Sequence, residues 1–134
     1  DLKAFVRANG QPVQKVQLCF RDMAERETAR AEITAAFPDV LVTSSFRNNL
    51  ELNAADADKG RALLALAQRL GIPAEDTVAF GDSSNDLRML RAAGTSVAMG
   101  NAAPEVRAVC DYVTDTNDCD GVAAFLRAHI LHGV

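Results

Sequence analysis

Apolar positions change period along the chain, and each change marks an element. Residues 13–20 alternate, with Val16, Leu18 and Phe20 set against Lys15, Gln17 and Cys19, which is the period of a half-buried strand. Residues 23–37 read as an amphipathic helix that Asp22 caps, that Ala31, Ile33, Ala36 and Phe37 close, and that Pro38 stops. Residues 40–46 and 50–54 read as two more strands, with Arg47-Asn48-Asn49 as their hairpin turn. Ahead of these, residues 1–12 show no strong period, and Asn9-Gly10 with Pro12 reads as a turn. That first segment is expected to be loose, or a strand without neighbours.

The second part has a different rhythm. Residues 60–70 carry Leu63, Leu64, Leu66, Ala67 and Leu70, a strong helix closed by Gly71. Strands are expected at 77–81, 95–99 and 112–114, and helices at 85–93, 104–109 and 121–131. Strands alternating with helices at this spacing predict a parallel sheet. The first part, a β-α-β-β unit, buries one sheet face under its single helix. The expected division is therefore 1–55 and 56–134, an α/β chain in two pieces without internal repeats.

Composition narrows the partners. A net charge of −4 and a pI near 5.1 argue against nucleic acid or an acidic membrane, which select basic patches. Aromatic content of 5% with no Trp leaves little for base stacking. No apolar run approaches the roughly 20 residues of a membrane span, and the N-terminus shows no signal-peptide pattern. Cys19, Cys110 and Cys119 lack CxxC spacing and suit a reducing compartment better than a disulfide framework or a zinc site. The expected setting is cytoplasmic.

The chemistry concentrates in one stretch, residues 77–86, where an apolar run ends in Gly81-Asp82-Ser83-Ser84-Asn85-Asp86. In an open parallel sheet, ligands bind at the carboxyl ends of strands. Asp82 and Asp86 would sit there beside a helix start, whose free N–H groups favour an anion. Two carboxylates and an amide can hold a hard cation such as Mg²⁺, and the helix start can receive the phosphate which that cation bridges. The plainer reading of Asp82 is a helix N-cap, and of Asn85 an ordinary polar residue of a first turn. Lys59 opens a helix and offers a compact charge suited to phosphoryl groups; alone it would be a surface lysine. Ser83 and Ser84 read as loop formers.

Other constellations fall short. Gly81-Asp82-Ser83 resembles the nucleophile block of SGNH-type esterases, but those need an Asp three residues before a late His, and Leu126 and His129 stand three before His129 and His132. Asp111, Asp115, Asp118 and Asp120 lack the order of an EF-hand and read as a solvated loop. His129 and His132 lie one helical turn apart without a third ligand and read as surface residues.

The run Gly81 to Asp86, with Lys59-Gly60 before it and Gly100-Asn101-Ala102, Pro104, Glu105 and Val106 after it, resembles the C-terminal part of haloacid-dehalogenase (HAD) superfamily phosphatases, the Cof-type or IIB group fitting best. The resemblance covers roughly residues 56–131, and residues 13–54 are similar, less distinctively, to the last part of that family's C2-type cap. It implies a partial HAD-like Rossmannoid parallel sheet with an N-terminal β-α-β-β piece of a cap: 1–55 partial cap, 56–134 part of the core. It implies that Lys59 stabilises the nucleophile and binds the phosphoryl group, that Asp82 binds Mg²⁺ directly, that Asp86 ligates the metal or orients its water, and that Asn85 contacts phosphate or holds the loop. Gly100-Asn101 resembles a turn near the active-site mouth. The implied substrate is a small phosphorylated metabolite.

The chain departs from the family upstream. Members begin with an Asp-x-Asp motif whose first Asp attacks phosphorus, and residues 1–12 contain one Asp and no such motif. Either this is a fragment or the gene has lost half the enzyme, and the chain alone is expected to be inactive. In the family the nucleophile strand lies beside the 77–81 strand. Without it that strand is an exposed edge, and self-association through the edge is expected. The alternative is a non-catalytic binding or assembly module that keeps the fold.

Overall fold

A computed structural model describes residues 1–131. The chain divides into two compact units, Asp1–Ala55 and a second from Asp56 onward. In the first, a helix stands where a loose segment was expected. Helix α1 (Leu2–Asn9) is held at both ends: the Asp1 carboxylate accepts the Lys3 N–H at 2.9 Å, and Gly10 closes it at φ 61°. Leu2, Phe5 and Val6 in fact stand at i, i+3 and i+4, a short helical stripe that the expectation of a loose segment overlooked, and the caps satisfy the end groups that otherwise face water.

Strand β1 (Lys15–Cys19), helix α2 (Met23–Ala36), strand β2 (Val40–Thr43) and strand β3 (Asn49–Ala54) follow. The sheet order is β1-β3-β2, antiparallel throughout, with Val16 and Val42 both opposite Leu52 and Leu18 opposite Leu50. These even-numbered positions share one face, and Leu50 is fully buried. Asp22 caps α2 as expected, its carboxylate accepting the Ala24 N–H at 2.8 Å.

The hairpin differs from expectation. Asn49 lies in β3, and its buried Oδ1 accepts the N–H groups of Ser45 and Phe46 at 3.2 and 3.0 Å. The Arg26 guanidinium reaches from α2 to the Asn49 carbonyl (3.0 Å) and the Ser44 hydroxyl (2.9 Å). A side-chain network therefore takes the backbone donors of residues 45 and 46, and β2 ends at Thr43 rather than running on to 46.

The second unit opens with helix α3 (Lys59–Leu70), capped by Asp58 and ended by Gly71 at φ 69°. Strand β4 (Val78–Gly81), helix α4 (Leu87–Ala92), strand β5 (Thr95–Ala98), helix α5 (Pro104–Arg107), strand β6 (Tyr112–Val113) and helix α6 (Gly121–His129) complete it. The sheet is parallel in the order β4-β5-β6, so β4 is an outer strand among the described residues. Ala79, Leu90, Ala98, Met99, Ala102 and Val106 form the core against its strands. Among the described residues three short 3-10 turns interrupt the regular elements, one of them Ala74–Asp76 ahead of β4. Another, Ser84–Asp86, replaces the first turn of the expected 85–93 helix, and the third, Asn117–Cys119, lies in the acidic loop.

Cys19 and Cys119 are exposed, while Cys110 is partly covered and burial pushes its thiol pKa up. His129 is exposed and stacks on Phe125 with ring centroids 4.4 Å apart; His132 lies outside the described residues. Among the described residues no helix is long and apolar enough to cross a membrane.

Candidate active site at the carboxyl end of strand β4

Strand β4 stops at Gly81, and the chain turns sharply through 82–86 into α4. The turn is built on the Asp86 side chain. Its Oδ2 accepts two backbone N–H groups, from Asp82 at 3.1 Å and Ser83 at 3.2 Å, so the carboxylate folds back under the loop it ends. Gly81 makes room: a Cβ there would stand 2.6 Å from the Asp86 Cβ and 3.0 Å from Leu90 Cδ1. This return contact is why the segment begins as a 3-10 turn instead of regular helix.

The other Asp86 oxygen, Oδ1, accepts from Lys59 Nζ at 2.5 Å. Lys59 is the first residue of α3, and its approach depends on close helix packing. A Cβ on the next residue, Gly60, would lie 2.6 Å from the Arg88 carbonyl oxygen of α4. Asp58 steadies the same helix end. The Arg61 N–H it accepts, at 2.9 Å, holds its carboxyl below the ordinary carboxylate range, helped by Arg88 at 3.3 Å. Asp86 is 8% exposed and Lys59 50%, so the pair joins a buried anion to a cation still open to solvent.

Asp82 is exposed at the mouth. Its Oδ1 accepts from the Ser83 hydroxyl and its Oδ2 from Asn101 Nδ2, each at 3.1 Å, and its backbone carbonyl accepts the Ala103 N–H at 3.1 Å. It caps no helix. Asn85 sits half-buried, and its Oδ1 is buried with no hydrogen-bond partner among the described residues. An amide oxygen in that state has acceptor capacity to spare.

Lys59, Asp82 and Asp86 are thus tied into one end of the second unit, with Asn85 in the same turn. Asp115, Asp118 and Asp120 are exposed on their own loop. Among the described residues no three His, Cys, Asp or Glu side chains gather as a metal cluster. The donors at the mouth still fit Mg²⁺ as a corner of its sphere. They are hard oxygens, and this ion is commonly held by one or two carboxylates with the remainder left to water and substrate phosphate. Asp82 is the solvent-exposed carboxylate of the pair, each oxygen accepting one side-chain bond, whereas Asp86 is buried and bonded to Lys59 and two backbone N–H groups. Arg107 was not singled out by its sequence context. It donates from Nε to the Ala102 carbonyl at 3.0 Å and from a terminal nitrogen to the Gly100 carbonyl, strapping the turn that carries Asn101. Only its position six residues after Asn101, on the short helix that Pro104 starts, could have drawn notice.

A three-stranded parallel sheet with a half-exposed lysine paired to a buried aspartate, and an exposed aspartate at one strand end, defines an α/β fold with a charged site at a strand's carboxyl end. The haloacid dehalogenase-like hydrolase profile matches residues 2–126, and the chain belongs to that family. Phosphatase YwpJ of Bacillus subtilis (strain 168) is 50% identical over 93 residues, which are 69% of this chain and 32% of that protein. A haloacid dehalogenase-like hydrolase from B. subtilis superposes with a TM-score of 0.80 at 40% identity, over 91% of this chain and 43% of its own. A HAD subclass IIB sugar phosphatase, BT4131, gives the same TM-score at 28% identity, over 92% of this chain and 46% of its own. This chain therefore spans between about a third and a half of these relatives' length.

Proposed function

We propose that this chain supplies the lysine and metal-binding corner of a Mg²⁺-dependent phosphatase acting on small phosphorylated metabolites. The observation that carries the proposal is the joining of Lys59, Asp82 and Asp86 in one hydrogen-bonded turn at the end of β4. Asp82 would hold Mg²⁺. When bound, the ion would neutralise charge on the phosphoryl group and its attacking oxygen. Asp86 orders the loop, and Lys59, anchored by Asp86, presents positive charge where a phosphoryl group would sit. Asn85 would offer its amide to phosphate. Residues 1–55 would be part of a cap domain and residues 56–134 part of the catalytic core.

The attacking carboxylate belongs to none of these residues, so the isolated chain is proposed to be inactive. The unpaired side of β4 would then accept another strand, either from sequence outside this chain or from a second copy. The three free thiols suit a cytoplasmic protein.

The test is Mg²⁺-dependent hydrolysis of an aryl phosphate by the full-length protein that carries this chain and by residues 1–134 alone. Asp82→Asn is expected to lower turnover of the full-length protein on the order of 10² to 10³-fold, as loss of one charge-stabilising group typically does. The isolated chain is expected to show none. Turnover by the isolated chain that Asp82→Asn abolishes would overturn its proposed inactivity.

A further inference from the structure

We infer that Asn101 is a positioning residue for Asp82, setting the orientation of its carboxylate and through it the affinity for Mg²⁺; this rests on the proposal that Asp82 is a metal ligand. The amide of Asn101 has one arrangement open to it. Its Oδ1 accepts the Asn117 backbone N–H at 3.0 Å, and an N–H can only donate, so the opposite end of the amide must be Nδ2. That NH₂ points at Asp82 Oδ2, 3.1 Å away. The acidic loop thereby fixes the amide, and the amide holds Oδ2 of the carboxylate while the Ser83 hydroxyl donates to Oδ1.

The turn bearing Asn101 is itself braced. The Gly100 N–H donates to the Asp115 carbonyl at 3.0 Å, and Arg107 holds the carbonyls of Gly100 and Ala102. The Ala103 N–H donates to the Asp82 backbone carbonyl. Asp82 is therefore gripped by the same turn at two points, main chain and carboxylate. Partners that orient a metal-binding group from behind typically change metal affinity 10 to 100-fold when removed. The Asn101–Asp82 contact is exposed to water, so it adds little to folding. Its effect should appear in metal binding and hardly in thermal stability.

The test is Mg²⁺ titration calorimetry on the full-length protein, comparing the unchanged protein with Asn101→Ala, the near-isosteric Asn101→Leu, and Asp82→Asn. Both Asn101 variants are expected to weaken Mg²⁺ binding about 10-fold while shifting Tm by no more than about 2 °C. In turnover the same variants should need about 10-fold more Mg²⁺ for half-maximal rate, with KM for substrate unchanged at saturating Mg²⁺. Unchanged Mg²⁺ affinity in either variant overturns the inference. So does a fall in Tm of about 10 °C or more in both, which would make Asn101 a support of the turn only. Mg²⁺ binding that survives Asp82→Asn, or is absent from the unchanged protein, would instead sink the reading of Asp82 as a ligand.

Discussion

Carboxylates in the second unit do different work depending on what each accepts. Asp86 commits both oxygens inside the protein, to Lys59 and to two backbone N–H groups, whereas Asp82 stands in solvent with the Asn101 amide on one oxygen and the Ser83 hydroxyl on the other. Asp111 is a third case, away from the site. Its Oδ2 accepts the Ser96 N–H at 2.9 Å and the Ser96 hydroxyl at 2.7 Å, which holds its carboxyl below the ordinary carboxylate range. A carboxyl depressed by folding binds its proton less readily in the native state. Its stabilising effect is therefore full above the unfolded-state pKa and is lost as pH falls through the native value. Asp111→Asn should destabilise the protein at neutral pH, with the deficit shrinking as pH drops below the ordinary carboxylate range. Denaturant titrations of both proteins across that range measure it, and a deficit that did not change with pH would contradict it. Of these three residues, Asp82 and Asp86 stand out in sequence because they follow directly on a strand end. Asp111 does not, because its partner Ser96 is distant in sequence and only the pairing of β5 with β6 brings them together.

At the scale of elements, most strand and helix positions were legible because the apolar period and the Gly and Pro stops agreed. Two of the misses share a cause: polar side chains that bond to the backbone. Asn49 shortens β2, and Asp86 turns the first turn of a helix into a 3-10 turn. Such bonds leave no periodic trace. The Asp86 contact depends on Gly81, so Gly81→Ala should push Asp86 and Leu90 apart and cost about 1–3 kcal/mol, the usual penalty for an extra carbon in a packed core. Chemical denaturation reads that directly, and a variant as stable as the original would mean the turn yields without loss. Strand β4 poses a different problem, since one side of its backbone has no strand partner among the described residues. Unpaired edges invite other chains. Residues 1–134 alone should therefore show concentration-dependent assembly by sedimentation velocity, while a strictly monomeric chain at high concentration would count against pairing there.

For the whole molecule, the family was legible because Lys59 and the run 81–86 survive as short, ordered blocks, and the α/β class because strands and helices alternate. The bracing of Asp82 was not, since it joins residues 82, 101 and 117 across two loops. The partial extent was legible from the missing Asp-x-Asp, and it agrees with a relative to which 69% of this chain aligns but of which it covers only 32%. The division into two compact units gives the cysteines a use unrelated to any chemistry of the protein. Cys19 lies exposed in the first unit and Cys119 exposed in the second, while burial suppresses the thiolate of Cys110. Each unit thus already carries an accessible attachment point for a spectroscopic label, and the separation between the two could be followed as a distribution in solution without altering a single residue.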